Sequence, residues 1–381
     1  MDFSMTDEQR SIVEVTRTFV ERELFPHEER VERTGVVAPE LVEQIKQKAI
    51  AAGLYAANMP QDVGGAGLDT VTKVLFEKEL GKASYALHSC ILRPSNILLA
   101  GTMEQRERYL YPSVRGERRD CMAMTEPEAG SDLRAMRTKA VRTADGWRIK
   151  GTKHFISHAH EADFVILFAV TGDGASAGLS TFLVDLDTPG LAVHDGYRNV
   201  SHRGYTNATL DFDDCQVPAD ALLGEAGAGM DLAATWLGST RLQVAATCLG
   251  RAERALALAT SHAATRVQFG RTIGRFQGVG FKLADMAMEL RAAELVTLDA
   301  AWKHDRGVAK DADFAMAKLK ASEVLAMVAD EAIQIHGGMG LMDELPLERI
   351  WRDARIERIW DGTSEIQRHI ISRSLLRPLG G

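Results

Sequence analysis

Helical periodicity at both ends of the 381-residue chain, with short β-type runs between them, predicts an α+β fold in three parts. The first part, residues 1–117, is expected to be an α-helical domain: Ile12, Val15, Phe19 and Val20 fall on one helical face, as do Leu41, Ile45 and Ala49. A glycine-rich break, GGAG at 64–67, interrupts these helices. The middle part, 118–226, changes texture. Its runs Trp147–Ile149, Phe164–Val170, Thr181–Val184 and Ala208–Phe212 are short, apolar and bounded by turn-formers, which predicts a small antiparallel β domain. In the third part, 227–381, helices return in longer segments. Leu283, Met286, Leu290 and Ala293 are spaced for one buried face, and Phe314, Ala317, Ala321, Leu325 and Val328 for another. Near the end Ser364 and Gln367 fit a capping box, and Ile366, Ile370 and Leu375 form an apolar stripe behind it. Asp361 then stands just outside a helix start.

A chain of this length can bury a large core without disulfides or a structural metal. The net charge of −8, from 45 basic and 53 acidic residues, argues against nucleic acid or a membrane surface as partner. Cys90, Cys121, Cys215 and Cys248 are far apart, show no metal-ligand spacing, and are expected to be reduced thiols in an intracellular, cytoplasmic protein. The start MDFSMTDEQR lacks the basic-then-apolar pattern of a signal peptide, and no apolar run reaches the roughly 18 residues of a membrane span.

The common nucleotide signatures are missing. No Gly-x-Gly-x-x-Gly follows a strand, and there is neither a phosphate loop nor a Gly-x-Ser-x-Gly elbow. His158 and His160 could be two metal ligands, but no third or fourth stands nearby, so a polar surface loop is expected there.

Five segments carry more information. Residues 123–132 read AMTEPEAGSD and are followed by LRA; 151–157 read GTKHFIS; 266–277, RVQFGRTIGRFQ; 334–340, QIHGGMG; and 359–367, IWDGTSEIQ. In identity and order they resemble the acyl-CoA dehydrogenase superfamily, FAD-dependent enzymes that oxidise the α,β carbon bond of an acyl thioester. The resemblance spans nearly the whole chain. It implies an N-terminal α-helical domain, a central β-barrel and a C-terminal four-helix bundle, assembled as a homotetramer or dimer, with acyl-CoA as substrate and an electron-transfer flavoprotein as acceptor.

The resemblance also implies site roles. Met122, Met124, Thr125, Gly130 and Ser131 would meet the flavin ring edge, where negative charge accumulates on reduction; Ser131 would also touch substrate. Phe155, where most relatives have Trp, would pack on the isoalloxazine with Ile156 and Ser157. Arg266, Gln268, Phe276 and Gln277 would reach the adenosine diphosphate of a flavin held mainly by another subunit. Gln334, Gly337 and Gly338 would lie where backbone approaches the pyrophosphate, although Gly-Gly also suits a helix C-cap. Thr363, Ser364 and Glu365 would lie against the flavin at a helix N-terminus.

Asp361 occupies the position of the family's catalytic glutamate, the base that takes the α-proton while hydride leaves the β-carbon for flavin N5. Aspartate is shorter by roughly 1.5 Å, a departure that matters for proton transfer. Some branches carry their glutamate at the position of Thr240, which cannot serve as a base. Thr240, Arg241 and Gly362 would flank the acyl-CoA, and His88 would line the acyl pocket and suit a polar or ring-bearing chain. Two rival readings stand beside the dehydrogenase: a flavin oxidase of a non-CoA carbon acid, resembling nitroalkane oxidase, and a catalytically inactive flavin-binding paralogue.

Overall fold

The structure, a computed structural model, describes residues 4–173 and 177–379. Seven helices come first: α1 Asp7–Phe19, α2 Glu28–Thr34, α3 Pro39–Ala51, α4 Thr70–Leu80, α5 Tyr85–His88, α6 Met103–Gln105 and α7 Tyr111–Val114. Thr6 caps α1 in a reciprocal box with Gln9, satisfying two otherwise orphaned donors. The buried face of α1 is shifted by one residue from the expected one. It runs through Val13, Thr16, Phe19 and Val20 and leaves Val15 43% exposed, and a π-turn over Val20–Leu24 follows.

The middle strands are β1 Asp120–Ala123, β2 Lys139–Arg142, β3 Gly146–Ser157, β4 Phe164–Thr171, β5 Gly178–Asp185, β6 Leu191–Asp195, β7 Asn207–Pro218 and β8 Leu222–Leu223. They form one sheet in the order β6-β7-β3-β2-β4-β5-β8, with β1 added against β4. The sheet is mixed rather than purely antiparallel: β1 and β2 both run parallel to β4. That explains β4, whose FVILFAVT run shows no alternation. One face of it, Val165 and Leu167, packs with Trp147, Ile149 and Phe182, while the other, Phe164, Ile166 and Phe168, packs against Tyr109, Leu110 and Val114 of the helical part.

The last third holds α8 Gly229–Thr265, a small hairpin of β9 Val267–Gln268 and β10 Arg271–Thr272, then α9 Gln277–Asp305, α10 Asp311–His336, α11 Leu347–Glu357 and α12 Ser364–Leu376. Helix α10 lies among α8, α9 and α12, and buries the expected face Phe314, Ala317, Ala321, Leu325 and Val328. Among the described residues no helix is long and apolar enough to cross a membrane.

Two devices join the N-terminal helices to this bundle. Helices α4 and α8 approach so closely that a Cβ on Gly250 would lie 2.0 Å from the Lys78 carbonyl oxygen, and one on Gly81 2.4 Å from the Thr247 Cα. Only glycine fits such a crossing. Glu28 of α2, buried, accepts hydrogen bonds from Arg254 (2.8 and 2.9 Å), Arg349 (2.7 Å) and the Ser84 amide (2.7 Å), so one carboxylate ties α8, α11 and the start of α5 to α2.

Candidate active site

A cavity of about 920 Å³ opens where α5 and the segment after it, β1, β3, α8 and the loop between α11 and α12 converge. Asp361 stands in that loop. Helix α11 stops at Glu357, the chain turns through Asp361 at φ 51° and Gly362 at φ 89°, and α12 begins. Both residues are in the left-handed region, which among side-chain-bearing residues aspartate tolerates better than most. The loop is held from two sides. Lys318, fully buried on α10, donates to the carbonyls of Trp360 (3.0 Å) and Gly362 (2.8 Å). Gln367 donates to those of Asp361 (3.2 Å) and Gly362 (2.8 Å).

The expected capping box is displaced by one residue. Thr363 is the N-cap, accepting from the Ile366 amide, while Ser364 turns inward and donates to Glu323. Gln367 is the reason: its side chain folds back, as a capping-box residue does, but onto the carbonyls of the turn. The stripe behind it is not a buried face of this chain either, because Leu375 is exposed.

Burial pushes the Asp361 carboxyl up to about 6, and Glu357 adds to the rise, while Lys318 and Arg241 oppose it. The result is a carboxylate that is basic yet ionised near neutrality. Thr240 borders the same cavity with its hydroxyl tied to the Trp236 carbonyl, 3.0 Å away. Arg241 also borders it, and its Nε has no partner among the described residues.

The opposite wall carries the β-domain segments. Met122, Met124, Thr125, Gly130, Ser131, Phe155, Ile156 and Ser157 all border the cavity. Phe155 is 55% exposed at φ 58°, its ring stacked on His154 at 4.3 Å and beside Tyr197 at 5.5 Å. Behind this wall lies a feature the sequence reading passed over. Lys153, fully buried, donates to Glu126 at 2.8 Å and to the Met124 carbonyl at 3.0 Å, and Glu126 accepts from the amides of Arg137 and Thr138 at 2.6 and 2.9 Å. The Glu of one segment and the Lys of another are thus a buried pair that fixes the two segments against each other.

His88 is buried and borders the cavity. With it come residues that spacing did not reveal: Tyr85, His158, Tyr205 and Trp360, with Tyr85 at the centre of ring contacts at 5.1 Å to His88, 6.1 Å to His158, 5.5 Å to Tyr205 and 5.2 Å to Trp360. The surface loop expected at His158 is corrected here. Its ring is buried beside the cavity, whereas His160 pairs with Asp195 at 3.2 Å. Among the described residues no group of three or more His, Cys, Asp or Glu is placed to hold a metal.

Trp360 is anchored from behind by its Nε1 donating to Glu357 at 2.7 Å. Glu357 also pairs with Arg251 and lies 3.4 Å from His202, whose amide and ring both meet Asp353. Burial alone would raise these carboxyls, but Arg251 and His202 hold Glu357 and Asp353 down to about 2.

The remaining expected positions lie elsewhere. Arg266, Gln268, Phe276 and Gln277 surround the β9–β10 hairpin, and Gln334, Gly337 and Gly338 end α10. The two sets are neighbours, joined by His262 stacked on His336 at 4.3 Å. None of them borders the cavity, nor do Ser364 and Glu365. Along α8, Arg241 and Arg266 are about 37 Å apart at 1.5 Å per residue. Gly337 caps α10 at φ 63°, and a Cβ on it or on Gly338 would meet nothing within 4 Å, so within this chain its backbone conformation, not crowding, calls for glycine.

Comparison with known proteins matches three family models end to end: acyl-CoA dehydrogenase N-terminal domain over 6–117, middle domain over 121–215 and C-terminal domain over 227–376. The chain belongs to the acyl-CoA dehydrogenase family. These are FAD-containing oxidoreductases acting on CH–CH bonds. A Bacillus subtilis (strain 168) relative named "Probable acyl-CoA dehydrogenase YngJ" is 40% identical, covering 99% of this chain and all of its own. The structure of butyryl-CoA dehydrogenase from Megasphaera elsdenii is similar at a TM-score of 0.92 and 34% identity, over 99% of this chain and 100% of the other. A structure described as the FAD complex of PigA is similar at a TM-score of 0.92 and 30% identity over 100% of both chains.

The residues present fit FAD. An exposed aromatic held in a left-handed conformation, next to the hydroxyls of Thr125, Ser131 and Ser157, provides an apolar face and polar edge for a flat heterocycle.

Proposed function

We propose that the protein oxidises the α,β bond of an acyl-CoA thioester, with Asp361 as the α-proton base, and passes the electrons to an electron-transfer flavoprotein. The single observation behind this is the placement of Asp361: a carboxyl raised to about 6, in a strained turn, facing across one cavity the Thr125–Ser131 and Phe155–Ser157 wall. FAD, when bound, supplies the hydride acceptor. Asp361 takes the α-proton, and the Asp361 amide polarises the thioester carbonyl. Lys318 and Arg241 favour the ionised base. Glycine at 362 lets the turn take φ 89° with the Gln367 amide close against it, where a Cβ would lie 2.6 Å from Nε2.

Asp120 also borders the cavity and is likewise raised to about 6 by burial. It lacks a lysine like Lys318 on its flanking backbone, and one of its oxygens is buried without a partner among the described residues. Asp361 is therefore preferred. Because the bundle-end residues stand far from the cavity, we propose that Arg266, Gln268, Phe276, Gln277, Gln334, Gly337 and Gly338 of one chain complete the flavin site of another, in a dimer or tetramer.

Anaerobic mixing of the FAD-loaded protein with a panel of acyl-CoAs tests the reading by loss of flavin absorbance. Asp361→Asn should keep FAD and slow reduction by about 10²–10⁴-fold. Bleaching by nitroalkanes alone would identify an oxidase, a flavin that nothing reduces an inactive paralogue, and full activity in Asp361→Asn with loss in Asp120→Asn a different base.

A further inference from the structure

Trp360, the residue before Asp361, is held at both ends. Its carbonyl accepts from Lys318 at 3.0 Å, and its indole Nε1 donates to Glu357 at 2.7 Å. Asp361 at φ 51° is in a sparsely populated backbone conformation, which persists only where the residues around it are fixed. Lys318 grips the main chain there, and Glu357 grips the side chain.

Glu357 is fully buried at the end of α11 and does not border the cavity. Around it stand Arg251 and Cys248 of α8, Lys318 of α10, Tyr85 of α5, His202 before β7 and, one turn back on α11, Asp353. Arg251 pairs with it directly; His202 Nε2 lies 3.4 Å from it, and His202 Nδ1 lies 3.2 Å from Asp353. Burial keeps the Cys248 thiol and the Tyr85 phenol neutral. Burial also works against the ionised form of Glu357, but Arg251 and His202 outweigh it and hold the carboxyl down to about 2. Glu357 is therefore a constant negative charge over the whole range in which Asp361, at about 6, gains and loses its proton.

A buried ion pair adds little net stability over apolar packing of the same volume. The place of this one gives it another use. The charges felt by Asp361 are Lys318 of α10 and Arg241 of α8, which favour its ionised form, and Glu357, which opposes it; Tyr85 and Tyr205 face it as neutral phenols. Glu357 is the like charge of that set.

We propose that Glu357 is a positioning residue for the base: through the Trp360 indole it fixes the turn that aims Asp361, and its constant negative charge strengthens Asp361 as a proton acceptor. This rests on the reading of Asp361 as the α-proton base and adds a residue that never touches substrate.

The test measures anaerobic flavin reduction against pH on the FAD-loaded protein, using the fastest thioester of the acyl-CoA panel. Glu357→Gln removes the like charge, so the rising limb should move below its wild-type position by roughly half a unit to one unit. For a shift of about one unit, the rate at pH 5 relative to each protein's own plateau rises about fivefold. Glu357→Asp keeps the charge but falls short of the indole, and Trp360→Phe removes the indole N–H. Both should leave the limb in place and lower kcat at the plateau by about tenfold, more than KM changes. Infrared titration reads the same pKa without turnover: the carboxyl band that Asp361→Asn abolishes should appear at lower pH in Glu357→Gln.

A limb that is unmoved or moves upward in Glu357→Gln overturns the inference, as does a full plateau rate in Trp360→Phe. If Glu357→Gln does not fold, Glu357→Gln combined with Arg251→Gln removes one charge of each sign and carries the same expectation, since Arg251 is not among the charges felt by Asp361. Full activity in Asp361→Asn overturns the reading of Asp361 as base and this inference with it; loss of activity there, with a wild-type limb in Glu357→Gln, overturns only the inference.

Discussion

Lys318→Met separates what holds Asp361 in place from what sets its basicity. The ammonium donates to two carbonyls that flank Asp361. After its removal Gly362 O still accepts from Gln367 at 2.8 Å, so Trp360 O is the acceptor left without a partner. One orphaned buried carbonyl costs about 1–3 kcal/mol. The electrostatic consequence is larger for function. For an assumed charge separation on the order of 6 Å and an effective dielectric constant of about 20, such a cation contributes roughly 2.8 kcal/mol, or about two pH units before solvent relaxation. Losing it raises the Asp361 pKa further above 6, because the ionised form has lost its partner.

The base must be ionised to act, so the rising limb of flavin reduction against pH should move from near 6 in the wild type upward by roughly one to two units. A shift of 1.5 units slows reduction at pH 7 about fourfold and leaves it nearly unchanged at about pH 9. Anaerobic stopped-flow reduction across this range, using the fastest acyl-CoA of the panel, reads the limb directly. Lys318→Arg, which keeps the charge, should leave the limb near its wild-type position. A limb unmoved in Lys318→Met, with rates lowered equally at every pH, would refute the electrostatic argument and reduce Lys318 to a brace.

Three further outcomes follow from buried groups away from the reacting atoms. Lys153→Met strands Glu126 and should lower unfolding stability by about 3–5 kcal/mol in denaturant titration, while Lys153→Met combined with Glu126→Gln recovers part of the loss. The Glu357 and Asp353 pKa values are depressed to about 2, so their contribution is present above the unfolded values of 4.5 and 3.8 and is lost as pH falls toward 2; thermal midpoints should drop across that window, less steeply in Glu357→Gln. Gly250→Ala forces a Cβ to 2.0 Å from the Lys78 carbonyl and should cost about 1–3 kcal/mol or more by opening the α4–α8 crossing, measured by chemical denaturation.

The sequence was most legible where a local pattern and a global role coincide. Phe314 to Val328 repeats at helical spacing and is buried as read, since nothing competes with a long amphipathic helix. β4 is different: its unbroken apolar run says "buried on both faces" but not which neighbours run parallel, and that depends on β1 and β2 arriving from elsewhere in the chain. The N-cap of α12 was misplaced by one residue because Thr363 and Ser364 both suit the position, and only the reach of Gln367 to the turn carbonyls chooses between them.

Lys318 was invisible for a related reason. Its partners are backbone carbonyls more than forty residues away, which leave no trace in side-chain identity. His158 and His160 look alike on paper, yet the first sits at φ 58° with its ring turned into the cavity wall and the second pairs outward with Asp195. Alternation along a strand does not survive such a turn. Lys153 and Glu126 were read as parts of motifs, but their pairing joins segments about 27 residues apart that only the folded sheet brings together.

The distance of the bundle-end residues from the cavity has a genetic consequence. If each flavin is enclosed by the cavity of one chain and the α8–α10 ends of another, a lesion at Arg266 or Gln268 and a lesion at Asp361 damage different halves of the site. Two inactive alleles, one of each kind, then restore a fraction of working sites when expressed together: those in which the intact cavity of one product meets the intact helix ends of the other. Two alleles both damaged at the cavity restore none. Activity in such mixed populations counts productive encounters between chains, with about one site in four expected to be whole for random equal pairing.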